Sequence, residues 1–332
     1  MIDGKTKDTG SFSLVTFWVC FSVLLCNPPN AHSQDKHAGP GSHSLAITVN
    51  GLDRTYIVHV PATYQPQRPS PLVIMLHGGG GTARAAMRET EWTMKAETEG
   101  LLAVFPNAMA RDPAQPSSFV RNPQLWNDGS DRFYPGQKPP DDVGFIAAML
   151  DDLSTRFALD KRRVFVTGFS NGASMSFLVG AALSDRIAAI APVAGALWFD
   201  PPLFKHPVSL CYITGTADPL NPIEGGVPKL AIGVSDRIRA KPKPPVRDSI
   251  LKWARALSCP AVPASLSEAD GVRIETYSPG LGNAEVIYFA VAGLGHTWAG
   301  GRSFLPESLV GKTSNKIRAT DVIWEFFRKH ER

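Results

Sequence analysis

Short apolar runs recur along the chain and are separated by longer stretches with helical spacing. Continuous runs of this kind predict strands that are buried on both faces of a sheet. Six such runs are Pro71–Leu76, Leu101–Phe105, Arg163–Thr167, Ile187–Val193, Val208–Thr214 and Glu285–Ala292. Before them, Leu45–Asn50 and Arg54–Val60 are rich in β-branched residues, which predicts an opening hairpin.

The stretches between the apolar runs favour helices. One predicted helix begins at Asp141 or Asp142, which suit an N-cap, and carries apolar residues at helical spacing: Val143, Ile146, Leu150, Leu153 and Phe157. The other predicted helices are Ala83–Glu99, Ala173–Leu183 and a final helix marked by Ile317, Ile323, Phe326 and Phe327. Strands that alternate with helices predict an α/β fold with a mostly parallel central sheet and helices on both faces. No boundary divides the sequence after residue 33, so residues 34–332 are interpreted as one domain.

Two long segments are rich in turn-forming residues. Pro106–Pro140 contains many Pro, Asn, Asp and Gly residues, and Asn221–Pro245 ends in a basic, proline-rich stretch. Both follow the carboxyl ends of predicted strands, where the chemistry of parallel sheets is found. Loops of this length inside a domain are usually functional or disordered, so we expect both loops to overhang the same site.

Residues 1–33 have the layout of a secretory signal. Lys5 and Lys7 precede the apolar run Ser11–Cys26, which ends at a proline pair and is followed by small residues before Gln34. The run is short for a membrane span of about 20 residues, although an uncleaved N-terminal anchor is the alternative. No later segment reaches membrane length. The expected mature protein is therefore secreted or periplasmic.

Composition and charge exclude some classes of protein. Charged residues make up 19% of the 332 residues and hydrophobic residues 43%, which excludes an intrinsically disordered chain. The net charge of +4 is spread along the chain, which does not indicate nucleic-acid binding.

In an oxidising compartment, Cys211 and Cys259 either form a disulfide or remain reduced with Cys211 buried. Neither has His or Cys neighbours at zinc-site spacing, so no metal site is expected.

The sharpest chemical signal is the G-x-S-x-G pentapeptide Gly168–Gly172. It follows a predicted strand and precedes a predicted helix. In this context the glycines allow a tight turn that exposes Ser170 as a nucleophile at a helix N-terminus. A phosphate-binding turn is the alternative, but the usual glycine-rich phosphate motifs are absent.

A serine nucleophile needs a base, and the base needs an acid. His296 lies in a glycine-flanked loop just after the last predicted strand, and Asp218 follows the strand Val208–Thr214. Asp236 and Asp270 are competing acids in less strand-like contexts. The chain order Ser170, Asp218, His296 is the order found in α/β-hydrolases.

An acyl-transfer site also needs two donors for the oxyanion. The amide of Asn171, the residue after the nucleophile, is expected to be one donor. The glycine run after the strand Pro71–Leu76 offers the second, with Gly79 preferred and Gly80 next. His77, at the start of this run, is expected to order the loop through hydrogen bonds rather than to act as the base.

Several segments together resemble the secreted α/β-hydrolase esterases of the polyhydroxybutyrate depolymerase and feruloyl esterase types. These segments are Leu76–Gly80, Asp141–Phe145, Gly168–Gly172, Gly215–Pro219, Gly295–Gly301 and Ala319–Phe327. The resemblance covers residues from about Leu45 to His330. One departure is the loop Lys229–Pro245, which is longer and more basic than expected, so the rim of the pocket is expected to differ.

The resemblance implies acyl transfer on small or polymeric esters without a metal or organic cofactor. Feruloylated or acetylated polysaccharides and hydroxyalkanoate esters are the substrate classes implied. Trp126, Phe133 and Trp298 are candidates for stacking on an aryl group or a sugar, with simple packing as the alternative. The alternative functions are a serine peptidase on the same fold and a non-catalytic binding protein. Neither the oligomeric state nor the exact ester follows from the sequence.

Overall fold

A ten-stranded sheet forms the centre of the computed structural model, which describes residues 38–134, 136–228 and 241–332. Its strands are β1 (Gly41–Val49), β2 (Leu52–Val60), β3 (Ser70–Leu76), β4 (Leu102–Pro106), β7 (Leu159–Phe169), β8 (Ala189–Val193), β9 (Ser209–Gly215), β10 (Ser265–Ala269), β11 (Val272–Tyr277) and β12 (Val286–Val291). Two short strands, β5 (Met109–Ala110) and β6 (Gln124–Leu125), pair separately within the first long loop. Residues 1–33, the predicted signal, lie outside the described residues.

The strand order is β1-β2-β4-β3-β7-β8-β9-β12-β11-β10. The six central strands, from β4 to β12, pair in parallel, and the outer strands on each side pair antiparallel. The opening hairpin and the mostly parallel α/β sheet are therefore confirmed. Because the carboxyl ends of parallel strands meet at one edge, this sheet brings β3, β7, β9 and β12 to the same rim.

The described chain has seven α-helices: α1 (Ala83–Thr90), α2 (Trp92–Glu99), α3 (Asp142–Arg156), α4 (Asn171–Ala182), α5 (Val246–Ala256), α6 (Glu307–Val310) and α7 (Ala319–Phe327). Alternate side chains of a strand point to opposite faces. Leu72 and Ile74 of β3 accordingly pack in one core cluster with residues of α3, α4 and α5. Val73 and Met75 pack in another with residues of α1, α2 and α7. Both faces of β3 are thus buried, as its continuous apolar sequence predicted.

The sequence prediction differs from the structure in one helix and in several elements that it missed. The single predicted helix Ala83–Glu99 is divided because Glu91 adopts a left-handed conformation with φ +58°. Strands β10 and β11 and helix α5 were not predicted. Every side chain of β10 is exposed, so its sequence has no buried face to reveal it.

Cys211 and Cys259, the two cysteines within the described residues, are both free thiols. Cys211 is buried in β9, and burial raises the pKa of its thiol. Burial also raises the pKa of Cys259 to about 11. The structure therefore favours the reduced alternative. Within the described ranges, no helix has the length and apolar character needed to cross a membrane.

Candidate active site

Ser170 lies at the apex of a sharp turn between β7 and α4. Its backbone has φ +57° and ψ −115°, a conformation that non-glycine residues rarely adopt. Two glycines make room for the turn. A Cβ on Gly168 would lie 2.2 Å from the Gly172 carbonyl oxygen, and a Cβ on Gly172 would lie 2.2 Å from the Leu76 carbonyl oxygen. The pentapeptide therefore requires glycine at both ends to present Ser170 in this strained conformation.

His296 joins Ser170 to Asp218 through its two ring nitrogens. Its Nε2 lies 2.8 Å from Ser170 Oγ, and its Nδ1 lies 2.8 Å from Asp218 Oδ2. An ionised carboxylate only accepts hydrogen bonds, so Nδ1 carries the proton and Nε2 accepts from the serine hydroxyl. The three residues selected from separate segments of the sequence thus form one hydrogen-bonded chain.

Asp218 is buried and its second oxygen is also satisfied. Oδ1 accepts backbone N–H bonds from Leu220 at 2.8 Å and from Asn221 at 2.7 Å. Burial raises the pKa of Asp218, but this is outweighed by the charge and hydrogen bond of His296 and by the Asn221 amide. The net result is a pKa below the ordinary value. Asp218 therefore stays ionised and keeps the proton of His296 on Nδ1.

Close backbone packing holds the aspartate and histidine loops together. The amide of His296 donates to the carbonyl of Val310 at 2.5 Å, which ties the histidine loop to α6. The amide of Ala217 donates to the Leu294 carbonyl at 3.0 Å. A Cβ on Gly215 would lie only 2.0 Å from that same Leu294 oxygen, so a side chain there would push the two loops apart.

Of the two competing acids, Asp270 is described by the structure and is not part of this arrangement. Asp270 lies in the turn between β10 and β11, at the exposed edge of the sheet, with φ +52°. Asp236 lies outside the described residues. Among the three predicted acids, Asp218 is the one that the structure places on His296.

Two unpaired amides lie beside Ser170. Neither the Gly79 N–H nor the Asn171 N–H has an acceptor among the described residues, and both residues line the same cavity as Ser170. A Cβ on Gly79 would lie 3.6 Å from Asn171 Cβ, so the two backbones are close. The alternative donor, Gly80, gives its N–H to the Gln124 carbonyl at 2.8 Å. The geometry thus leaves Gly79 and Asn171 free to receive a developing oxyanion.

His77 orders the glycine loop. Its Nδ1 lies 2.7 Å from the Gly78 carbonyl oxygen, and its Nε2 accepts the Ala108 N–H at 3.1 Å. These partners assign the proton to Nδ1. Burial lowers the pKa of His77 to about 4, so the ring is neutral at physiological pH. His77 is therefore a structural residue of the loop that carries Gly79.

A cavity of about 520 Å³ opens beside Ser170 and His296. The three aromatic residues predicted to bind substrate do not line it, and this prediction is corrected. Trp126 and Trp298 are 2% and 3% exposed, and their indole N–H groups donate to the His77 carbonyl and to Thr320. Phe133 packs edge-on against Tyr134 with ring centroids 4.8 Å apart. The Trp126 and Trp298 rings are enclosed by the protein, whereas Phe133 is half-buried against Tyr134, so none of the three rings faces the cavity.

Several residues of the cavity wall were not selected from the sequence. The aromatic members are Phe119, Phe169 and Phe304. Arg132 and Lys243 also line the cavity. Two features of the sequence could have identified these residues. Phe119 and Arg132 lie in the first long loop, and Lys243 lies in the basic stretch of the second.

These features agree with the comparison to a known family. A family model described as phospholipase/carboxylesterase matches residues 60–227, which is half of the chain and includes Ser170 and Asp218. The chain belongs to this phospholipase/carboxylesterase family. His296 lies beyond the matched residues, so its place in the site rests on the geometry above.

Relatives of this carboxylesterase-family chain are named as esterases or as a polyester depolymerase. The protein named esterase NocK, from Nocardia uniformis subsp. tsuyamanensis, is 27% identical over 84% of this chain and 80% of its own length. Feruloyl esterase C of Emericella nidulans is 24% identical over 57% of this chain and 65% of its own length. A poly(3-hydroxybutyrate) depolymerase of Ralstonia pickettii is 23% identical over 93% of this chain and 63% of its own length. The chain thus spans slightly less than two thirds of the last two relatives.

The comparison with solved structures supports the fold. An acetyl xylan esterase from Aspergillus awamori superposes with a TM-score of 0.53 at 14% identity, over 77% of this chain and 94% of that chain. At this identity the similarity shows the fold alone. The family model and the named relatives together with this fold confirm the resemblance to carboxylic-ester hydrolases of the α/β-hydrolase fold. In the described part of the chain, no group of three His, Cys, Asp or Glu side chains is arranged to hold a metal ion.

Proposed function

We propose that the chain is a secreted serine carboxylic-ester hydrolase that works through a covalent acyl-enzyme. The observation that carries the proposal is the unbroken hydrogen-bonded chain from Ser170 Oγ through His296 to Asp218, at the wall of the cavity. Secretion is supported by the signal-like sequence of residues 1–33.

In the acylation step, Ser170 Oγ attacks the ester carbonyl carbon while His296 Nε2 takes the hydroxyl proton. The negative charge that develops on the carbonyl oxygen receives the N–H groups of Gly79 and Asn171. Asp218 stabilises the imidazolium form of His296. The bond to the leaving alcohol then breaks, and His296 returns the proton to the alkoxide.

In the second step, water replaces the alcohol. His296 takes a proton from the water as its oxygen attacks the acyl carbon, and the same two amides hold the oxyanion again. The bond to Ser170 Oγ breaks, and His296 gives the proton back to the serine. The products are a free carboxylic acid and the original enzyme, without any cofactor.

Feruloyl or acetyl esters of polysaccharides and hydroxyalkanoate esters are the substrate classes that we propose. The names of the relatives support these classes. The cavity supports them as well, since Phe119 and Phe304 offer apolar contact surface and are 36% and 57% exposed. Such rings pack well against aryl groups, sugar faces or short alkyl chains.

Kinetics with two chromogenic substrates test the proposal. Purified protein should hydrolyse p-nitrophenyl acetate and leave a peptide anilide intact. Ser170→Ala should lower kcat on the ester by up to about 10⁶-fold, whereas Ser267→Ala, on the exposed edge strand β10, should retain it. Hydrolysis of the anilide alone would indicate a peptidase. Hydrolysis of neither substrate would indicate a binding protein.

A further inference from the structure

A buried lysine lines the cavity that holds Ser170. Lys243 is 8% exposed, and its Nζ donates to Asn221 Oδ1 at 3.0 Å. No carboxylate of the described chain lies within ion-pair distance of this ammonium. An ammonium has three donors, so two of them have no partner among the described residues.

A second cation, Arg132, lines the same cavity. Its guanidinium lies 4.3 Å from the centre of the Trp198 ring, and Nη2 lies 3.5 Å from Asp128 Oδ2. Stacking and ion pairing hold the group in place. Burial, and next the charge of Arg132, lower the pKa of Lys243 to about 7, while Asp218 and Asp128 act in the opposite direction.

Both nearby carboxylates have other partners. Asp128 Oδ2 accepts from the Asn171 side chain at 2.8 Å and faces Arg132, and Asp218 Oδ2 bonds to His296. When His296 gains a proton during the reaction, the charge of Asp218 is balanced by the imidazolium. Lys243 is then a buried cation without an anion, an arrangement that is costly unless a ligand supplies the charge.

We propose that Lys243 and Arg132 bind a free carboxylate that the substrate carries in addition to its scissile ester. The inference rests on the proposed function and deepens it by naming the substrate class. That class contains esters of an acid or an alcohol that bears a second, unesterified carboxyl group. Ion-paired hydrogen bonds from Lys243 and from the fork of Arg132 suit such a group.

Two pairs of esters test the proposal and distinguish the side that carries the carboxylate. For the acyl side, 4-nitrophenyl hydrogen adipate is compared with 4-nitrophenyl methyl adipate by release of nitrophenol. For the alcohol side, 3-acetoxybutyrate is compared with methyl 3-acetoxybutyrate by release of acetate. The readout is the ratio of kcat/KM for the carboxylate ester to kcat/KM for its methyl-capped partner. Losses that affect both esters cancel in this ratio.

In at least one of the two ester pairs, the wild-type ratio of kcat/KM for the carboxylate ester to kcat/KM for its capped partner should exceed one. Lys243→Met should lower this ratio about tenfold or more, as expected for loss of a hydrogen bond to a charged group. Lys205→Met removes the same charge at an exposed position outside the cavity and should leave the ratio unchanged. The wild-type ratio should also fall as the pH rises above about 7, because Lys243 loses its charge. Both esters share His296, Asp218, Asp128 and Arg132, so the effects of these groups largely cancel.

The proposal is overturned if the wild type prefers the capped ester in both pairs, or if Lys243→Met keeps the wild-type ratio. Circular dichroism checks that the variant folds. If it does not fold, Arg132→Met and the wild-type pH dependence decide by the same criterion. Absence of hydrolysis of p-nitrophenyl acetate would instead refute the proposed esterase function. Hydrolysis of that ester without a carboxylate preference would refute the present inference alone.

Discussion

The side-chain amide of Asn171 donates to the buried carboxylate of Asp128 at 2.8 Å, while the backbone N–H of Asn171 remains unpaired beside Ser170. The amide oxygen of Asn171 also accepts the backbone N–H of Trp126 at 2.8 Å. The first long loop is thereby fastened to the first residue of α4. Asp128 holds in place the residue whose main chain is proposed to bind the oxyanion.

Asp128→Ala should therefore lower kcat on p-nitrophenyl acetate by about tenfold, with a smaller change in KM. Loss of an oxyanion donor costs about 10²–10³ in kcat, and a displaced donor should cost part of that. Steady-state kinetics measure the effect. Asp131→Ala, at a largely exposed neighbouring position, is the matched control and should retain activity. An equal loss in both variants would mean that Asp128 has no special role in positioning.

Asp218→Asn should reduce kcat severely, by about 10⁴-fold, because an amide no longer selects the Nδ1–H form of His296 or stabilises its charged form. The control is Asp270→Asn, in the turn between β10 and β11, which should be silent. Initial rates on p-nitrophenyl acetate compare the two variants. If Asp270→Asn were the damaging change, the acid of the site would be misassigned.

His77 should make the folded state sensitive to acid. Its pKa is about 4 in the folded protein against an ordinary value of 6.5, so the folded state favours the neutral ring. This contribution, of about 3 kcal/mol, is present above pH 6.5 and is lost as the pH falls towards 4. Urea unfolding at several pH values should show a smaller acid loss in His77→Gln than in the wild type. His206→Gln, at an exposed position, should behave like the wild type. Equal slopes in all three proteins would contradict the prediction.

Phe119 should affect substrate choice, whereas Trp126 should not. The Phe119 ring lies at the cavity wall, and a Cβ on Gly80 would lie 2.8 Å from it. Phe119→Ala should lower kcat/KM for methyl ferulate relative to p-nitrophenyl acetate by a few-fold to about tenfold. Trp126→Ala should reduce both esters equally, because it loosens the His77 loop. A selective effect of Trp126→Ala would place that ring in the pocket after all.

The sequence was sufficient for the features that depend on local pattern. The parallel strands follow from continuous apolar runs, and the turn at Ser170 follows from glycines that leave no room for a side chain. The assignments of His296 and Asp218 used their positions after strands, since parallel strands end at one rim. These features are local in the sequence, but they determine which residues meet at the rim of the sheet.

The residues of the cavity wall were harder to predict. Trp126 and Phe119 both lie in the same long loop, and only the path of that loop decides which ring is buried. Lys243 appeared as one member of a basic stretch, and its burial depends on packing against Asn221. Strand β10 has only exposed side chains, so no hydrophobic pattern marked it.

Covalent labelling of Ser170 tests the central claim most directly. The wild-type protein is incubated with paraoxon, nitrophenol release is counted, and the modified peptide is identified by mass spectrometry. We predict one equivalent of nitrophenol, a diethylphosphoryl group on Ser170, parallel loss of esterase activity, and no labelling of Ser170→Ala. A label on a different residue, or full esterase activity after stoichiometric labelling of Ser170, would contradict the assignment of Ser170 as the nucleophile.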